Sequence, residues 1–169
     1  YRNFGKMRDR RAAKLMRGRS NKGDEAFHKQ GVKSEWRMLN RLHELGVRVP
    51  IPIAEYTDGV LMEFIGTIDG AAPRLVNCRL EESELQEVAA RLFDDVETML
   101  DNDIVHGDLS AYNILYDGAD PVIIDVPQAM DLKTTPEAID MLQRDLSNLD
   151  TFFERKKVQT RFVDLLRQV

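Results

Sequence analysis

The stretch His106-Gly107-Asp108-Leu109-Ser110-Ala111-Tyr112-Asn113-Ile114-Leu115-Tyr116, followed by Val122-Ile123-Ile124-Asp125, decides how this 169-residue chain is read. Residues 114–116 and 122–124 are short apolar runs on either side of the turn residues Asp117-Gly118-Ala119-Asp120, the pattern of a β-hairpin. Such a hairpin carries Asp125 back beside Asn113. A hard divalent cation takes carboxylate, amide and water oxygens, so Asn113 and Asp125 read as a pair of metal donors. Asp108 adds a carboxylate able to orient an attacking hydroxyl and take its proton. Transfer of a phosphoryl group asks for these parts, because its catalysis is mostly positioning and charge neutralisation. Asp and Asn also favour turns and strand ends on structural grounds alone. His106 reads as a structural hydrogen-bonding residue rather than a base.

The spacing H-x-D-L-x-x-x-N from His106 to Asn113 fits the kinase catalytic loop. The longer run from His106 to Tyr116, with Ile123-Ile124-Asp125-Val126-Pro127-Gln128, resembles the RIO atypical protein kinases, nearest to bacterial relatives of their first subfamily. Leu61-Met62-Glu63-Phe64-Ile65-Gly66 resembles that family's hinge, Ala72-Pro73-Arg74-Leu75 the segment after it, and residues 144–153 its late helix. The resemblance implies an α+β, protein kinase-like fold. Residues 1–62 would be part of an amino-terminal lobe, 63–66 the hinge, and 67–169 a mainly helical carboxyl-terminal lobe with a short hairpin at the site. It also implies ATP with Mg2+ or Mn2+, Asp108 as catalytic base, and Asn113 and Asp125 as metal ligands. Ser110, Glu35 and the backbone of Glu63, Phe64 and Ile65 would lie at the nucleotide. The family's glycine-rich loop and strand lysine have no counterpart here and would fall before residue 1, so the chain reads as a piece beginning inside the amino-terminal lobe.

Residues 24–45 have helical periodicity, with Val32, Glu35, Leu39 and Leu42 on one face. A carboxylate on an apolar stripe needs a partner, and by resemblance Glu35 would pair with the absent lysine; Arg37, Lys33 or solvent are the plain alternatives. Gly46 suits a helix carboxyl-terminal cap. Residues 53–56 and 60–64 read as strands around the turn Thr57-Asp58-Gly59. An extended segment running on from them would offer amides and carbonyls to an adenine, with Met62 flanking the pocket. Leu85, Val88, Ala89, Leu92, Val96, Met99 and Leu100 mark a helix whose start is signalled by Ser83 or the acidic residues around it. Thr135-Pro136-Glu137 signals another, with proline at its first position and Ile139, Leu142, Leu146 and Leu149 as its stripe. A last helix would hold Phe162, Leu165, Leu166 and Val169.

Charge is uneven. The net value is −5, yet residues 1–22 carry nine Lys or Arg against one Asp, a run able to contact RNA phosphates or an acidic partner, or simply to face solvent. By family resemblance a ribosomal small-subunit contact is the expected form, and Ser20 is an expected autophosphorylation site. One cysteine, Cys78, excludes an internal disulfide framework and suits a reducing cytoplasm. No apolar run approaches the roughly 20 residues that cross a bilayer. About ten residues separate Asp125 from Pro136, too few to grip a peptide widely, so an ATPase cycle stands beside transfer to a protein hydroxyl. By resemblance, Asp125 could also carry a phospho-aspartate. Two rivals remain open at this stage: an aminoglycoside- or choline-type small-molecule phosphotransferase, for which Gly107 speaks, and a nucleotide-binding, pseudokinase-like module.

Overall fold

A computed structural model describes the backbone of residues 21–169 and side chains from residue 30 onward. Ser20 and nearly all of the basic run lie outside the described residues. Helix α1 (Asn21–Glu44) buries Val32, Leu39 and Leu42, as the periodicity requires. It stops at Gly46, whose φ of 81° is open to glycine without the Cβ penalty, and the Gly46 amide donates to the His43 carbonyl at 3.1 Å. Strands β1 (Pro52–Tyr56) and β2 (Gly59–Met62) form an antiparallel pair with a register irregularity between Pro52 and Ala54. Pro52, Ala54, Val60 and Met62 are half-buried while Ile53, Glu55 and Leu61 stand out. A second small hairpin, β3 (Gly66–Thr67) with β4 (Gly70–Ala71), follows; two residues per strand are too short for a period-two signal in the sequence.

Helix α2 (Glu82–Asp101) buries every stripe residue named above. Its amino-terminal cap is Glu81, one of the acidic residues around Ser83: the Glu81 side chain accepts from the backbone at Glu84, and the Glu84 carboxylate accepts the Glu81 amide at 2.8 Å. That reciprocal capping box satisfies two otherwise orphaned donors. Strands β5 (Ile104–Val105) and β8 (Met130–Asp131) pair antiparallel, as do β6 (Ile114–Tyr116) and β7 (Pro121–Ile123). Helix α3 (Ala138–Arg155) is capped by Glu137, so Pro136 lies in the preceding turn and not at the first helical position. Ile139 is exposed, contrary to its place in the expected stripe, whereas Leu142, Leu146 and Leu149 are buried. The last segment is a 3-10 helix, Phe162–Gln168. Asp150 fixes it, accepting from the Phe162 and Val163 amides at 2.9 and 3.0 Å and from the Thr160 hydroxyl at 2.6 Å.

One apolar core runs from Leu39 and Leu42 of α1 through α2, β5, β6 and α3 to Phe153 and Phe162, whose rings stack with centroids 5.9 Å apart. Arg48, in the connection after α1, ties the outer layer to that core. Its guanidinium lies 2.7 Å from the buried Asp95 carboxylate of α2 and its amide donates to the same side chain. Asp120, in the β6–β7 turn, pairs with Arg48 at 3.4 Å and also with Arg91. The site loop is thus carried on a floor of buried strands.

Candidate active site

Residues 106–113 connect β5 to β6, and their burial alternates. His106, Leu109, Ala111 and Asn113 are buried, whereas Asp108 and Ser110 are half-exposed and Tyr112 is open. The buried set fastens the loop to the core, and the outward set is what a ligand can meet. His106 bridges two parts of the site. Its Nδ1 accepts the Asp108 amide at 3.3 Å, so its Nε2 carries the hydrogen that goes to the Ile124 carbonyl at 3.1 Å. Burial pushes the imidazole below its ordinary pKa, against the raising effects of the Ile124 carbonyl and the Asp108 and Asp125 charges. A neutral, doubly bonded histidine is a structural link rather than a proton carrier.

The hairpin expected from the sequence forms with Ile114 opposite Ile123, Leu115 opposite Val122 and Tyr116 opposite Pro121. The Asp117 carboxylate closes its turn by accepting the Ala119 and Asp120 amides at 2.8 and 2.7 Å. The Ile124 amide then donates to the Asn113 carbonyl at 2.9 Å, which brings the residue next to Asp125 against Asn113. Asp125 is exposed and has φ 66°, a left-handed conformation that aspartate tolerates better than most residues. The Asn113 side-chain amide donates to the Asp108 carbonyl at 2.9 Å and to Asp108 Oδ2 at 3.2 Å. With the nitrogen spent there, Asn113 Oδ1 remains as an acceptor. Among the described residues no three His, Cys, Asp or Glu converge as a metal cage. One carboxylate and one amide oxygen therefore fit a cation that completes its shell with phosphate and water, the usual arrangement for Mg2+.

Helix α3 holds the loop from beneath. Asp145 Oδ2 accepts the Gly107 amide at 2.8 Å, the Arg144 guanidinium donates to the Gly107 carbonyl, and Asn148 donates to the Leu109 carbonyl at 3.3 Å. Asp145 is buried, and desolvation raises its pKa to about 6 even though the Gly107 and Leu109 amides and Arg144 act to lower it. Gly107 has φ 83°, and a Cβ there would stand 2.9 Å from both the Gln128 carbonyl oxygen and the Met130 methyl. Glycine is therefore dictated by local backbone conformation and by the chain passing over it, which removes its weight as a mark of small-molecule phosphotransferases.

The other expected residues are placed as follows. Glu35 is half-buried on α1, and its carboxyl is raised above the usual range first by desolvation and then by the charge of Asp125. Neither Arg37 nor Lys33 forms an ion pair with it among the described residues; Arg37 instead donates to the Lys33 carbonyl. Ser110 works locally, its carbonyl accepting the Asn113 amide at 2.8 Å and its hydroxyl the Tyr112 amide at 3.4 Å. In the hinge-like segment the Glu63 amide is spent on the Ile51 carbonyl and the Ile65 carbonyl on the Ala72 amide. Among the described residues the Glu63 carbonyl, both backbone groups of Phe64 and the Ile65 amide have no backbone partner, leaving two acceptors and two donors on a stretch whose Phe64 side chain is open.

Against known proteins, the model of the RIO domain matches residues 1–165. The chain belongs to the RIO family. Human serine/threonine-protein kinase RIO1 is 36% identical over 131 residues, covering 77% of this chain and 23% of the human protein. The RIO-type serine/threonine-protein kinase Rio1 of Haloferax volcanii is 35% identical over 74% of this chain and 42% of its own length. That of Thermoplasma acidophilum is 34% identical over 76% and 66%. The chain thus spans from about a quarter to about two thirds of the relatives it matches. A solved structure of the Cydia pomonella granulovirus kinase PK-1 aligns with a TM-score of 0.48 and 17% identity over 78% of this chain and 64% of that one, which adds nothing to the assignment. Within the RIO fold, the small hairpins and buried helices seen here are the α+β, kinase-like architecture that the sequence led us to expect.

Proposed function

We propose that this RIO chain performs ATP- and Mg2+-dependent phosphoryl transfer of the serine/threonine kinase type, to a protein hydroxyl or to water, in the cytoplasm. The observation that carries the reading is the Asn113 side chain, which spends its nitrogen on Asp108 and keeps Oδ1 as an acceptor, while the bond from the Ile124 amide to the Asn113 carbonyl brings the segment leading to Asp125 beside it. Asn113 and Asp125 would hold the cation, which when bound supplies charge neutralisation for the phosphates. The protein's own groups do the rest. Asp108 Oδ2 is fixed by Asn113, so Oδ1 is the atom that faces an acceptor hydroxyl, orients it and takes its proton. Adenine would be met by the Glu63 carbonyl and the Ile65 amide. Glu35, raised by burial and by Asp125, supplies negative charge that a cation from outside the described residues would answer. Ser20 is an acceptor available in cis, and the basic run to Lys22 offers contact to RNA phosphates or an acidic partner.

Magnesium-dependent ATP turnover by the full-length protein beside Asp108→Asn tests this. Loss of a base and orienting group costs roughly 100- to 10,000-fold in rate, and Asp108→Asn should lose that much with nucleotide binding retained. Equal turnover in both proteins would refute the assignment of Asp108. Radiolabel from γ-labelled ATP appearing on protein, rather than only as inorganic phosphate, separates the kinase from the ATPase outcome.

A further inference from the structure

The hairpin that leads to Asp125 is held from outside by one arginine. Val47 and Val49 are buried, which fixes the segment after α1 in the core, and Arg48 between them lies at its border with a half-exposed side chain. The Arg48 carbonyl accepts the Ile123 amide at 2.8 Å. Its guanidinium meets Asp120 in the β6–β7 turn at 3.4 Å and donates to the Arg91 carbonyl of α2 at 3.0 Å. The Arg91 side chain in turn pairs with Asp120 and donates to the Ala119 carbonyl at 3.2 Å. Arg48 thus holds β7 at the turn and again two residues before Asp125. The next amide, that of Ile124, goes to the Asn113 carbonyl, so two consecutive backbone bonds lead into Asp125.

We propose that Arg48 is a positioning residue for the cation: by fixing the outer strand of the hairpin it sets where Asp125 stands against Asn113, so that divalent-cation affinity depends on a side chain outside the donor pair. This role rests on the reading of Asn113 and Asp125 as cation donors. Stability alone does not account for the network. The pairs that Asp120 makes with Arg48 and Arg91 are partly exposed, a kind that adds little to folding. The Arg48–Asp95 pair, at 2.7 Å with Asp95 3% exposed, is the buried kind. Desolvation raises the Asp95 carboxyl in spite of the bonds from Arg48, and an uncharged pair of similar volume is commonly as stable. An uncharged pair would not aim a guanidinium at Asp120. What the ionic arrangement specifies is position, for a two-stranded hairpin of three residues a side that is marginal by itself. Groups behind the ligands of a metal affect its affinity by about 10- to 100-fold.

The test uses the full-length protein with Mn2+ as the probe, its binding read by electron paramagnetic resonance beside a non-hydrolysable ATP analogue. Two variants are compared with it. Arg48→Met combined with Asp95→Asn leaves no buried charge and keeps an acceptor for the residue-48 amide; it should bind Mn2+ roughly 10- to 100-fold more weakly while Tm stays within about 4 °C. Asp120→Ala removes only partly exposed pairs, so it folds even if the double variant does not, and it should weaken Mn2+ binding about 10-fold. The amides of Ile123 and Ile124 should exchange faster in both variants, while those of Leu142 and Leu146 in α3 are unchanged. Raising Mg2+ by the factor lost in affinity should restore ATP turnover, which a merely destabilised protein would not show. Mn2+ affinity within about twofold of the unsubstituted protein in either folded variant overturns the proposal. Absence of Mn2+ binding by the unsubstituted protein removes the cation-donor reading and this proposal with it; binding that the variants leave intact removes this proposal alone.

Discussion

Replacing Gly107 by alanine asks the backbone for two things at once. The residue sits at φ 83°, and the added Cβ would lie 2.9 Å from the Gln128 carbonyl oxygen and 2.9 Å from the Met130 methyl. The methionine tip can swing aside. The Gln128 carbonyl cannot, because it is backbone in the segment that leads into β8, where Met130 pairs with Val105. A left-handed conformation costs a non-glycine residue about 1–2 kcal/mol, and relieving the backbone contact adds a further strain of about 1 kcal/mol. Gly107→Ala should therefore destabilise by about 2–3 kcal/mol. In a protein of this size each kcal/mol moves Tm by roughly 2–4 °C, so thermal unfolding followed by circular dichroism should shift down by roughly 4–12 °C. Relief of the contact pushes apart the loop carrying Asp108 and the segment following Asp125, so ATP turnover should fall more than stability alone explains at a temperature where the variant is still folded. A Tm within about 1 °C of the unsubstituted protein, with full turnover, would refute the claim that glycine is dictated here.

Asp145→Asn should change how stability depends on pH. Folding raises this carboxyl from 3.8 to about 6, so the stability it contributes is fully present below 3.8 and is lost as pH rises toward 6. The asparagine variant should gain on the unsubstituted protein across that window, by an amount on the order of 3 kcal/mol at most, and urea unfolding at pH 4.5 and 8 checks it: a difference that does not grow with pH would contradict the buried ionised state. Asp95→Ala leaves Arg48 without its buried partner and should cost about 3 kcal/mol in denaturant unfolding, while Asp120→Ala, at a more exposed pair, should cost about 1 kcal/mol or less. Leu146→Ala, at a fully buried site, should cost about 2–5 kcal/mol; the same change at the exposed Ile139 should stay within about 0.5 kcal/mol.

Local periodicity explains what could be read in advance. The α2 stripe and the β6–β7 hairpin depend on neighbours within a few positions, and both appear in the structure with nearly the expected ends. The misses have a common cause in the competition between local signal and tertiary context. Ile139 has the spacing of a core residue, but it lies in the first turn of α3, where only Ala138 is buried. Pro136 carries a first-position signal, yet the turn ending in the Ala138 amide's bond to the Thr135 carbonyl comes first. Of the two start signals for α2, Ser83 and the acidic residues around it, the acidic one is used, because the Glu81 and Glu84 side chains reach each other's backbone. The use of the Glu63 amide by Ile51 and of the Ile65 carbonyl by Ala72 is backbone pairing with no sequence mark.

Carboxylates on apolar helical stripes mark where helices reach out to loops. Glu35 is such a carboxylate, on the stripe with Val32, Leu39 and Leu42. An acidic residue three positions after a core leucine likewise sits on the apolar stripe in Leu92, Asp95, Val96 and Met99 of α2 and in Leu142, Asp145, Leu146 and Leu149 of α3. An aspartate at a core position is expensive unless something waits for it, and in each case something does: Arg48 for Asp95, and the Gly107 amide for Asp145. Neither partner lies on the helix bearing the carboxylate, and both belong to irregular segments that have no apolar stripe of their own to hold them. The two buried aspartates thus do what side-chain packing cannot do for a loop, fixing its backbone by a directed bond. By that rule Glu35, half-buried and raised first by desolvation and then by Asp125, is the third such carboxylate, and a group of opposite charge is what its position demands.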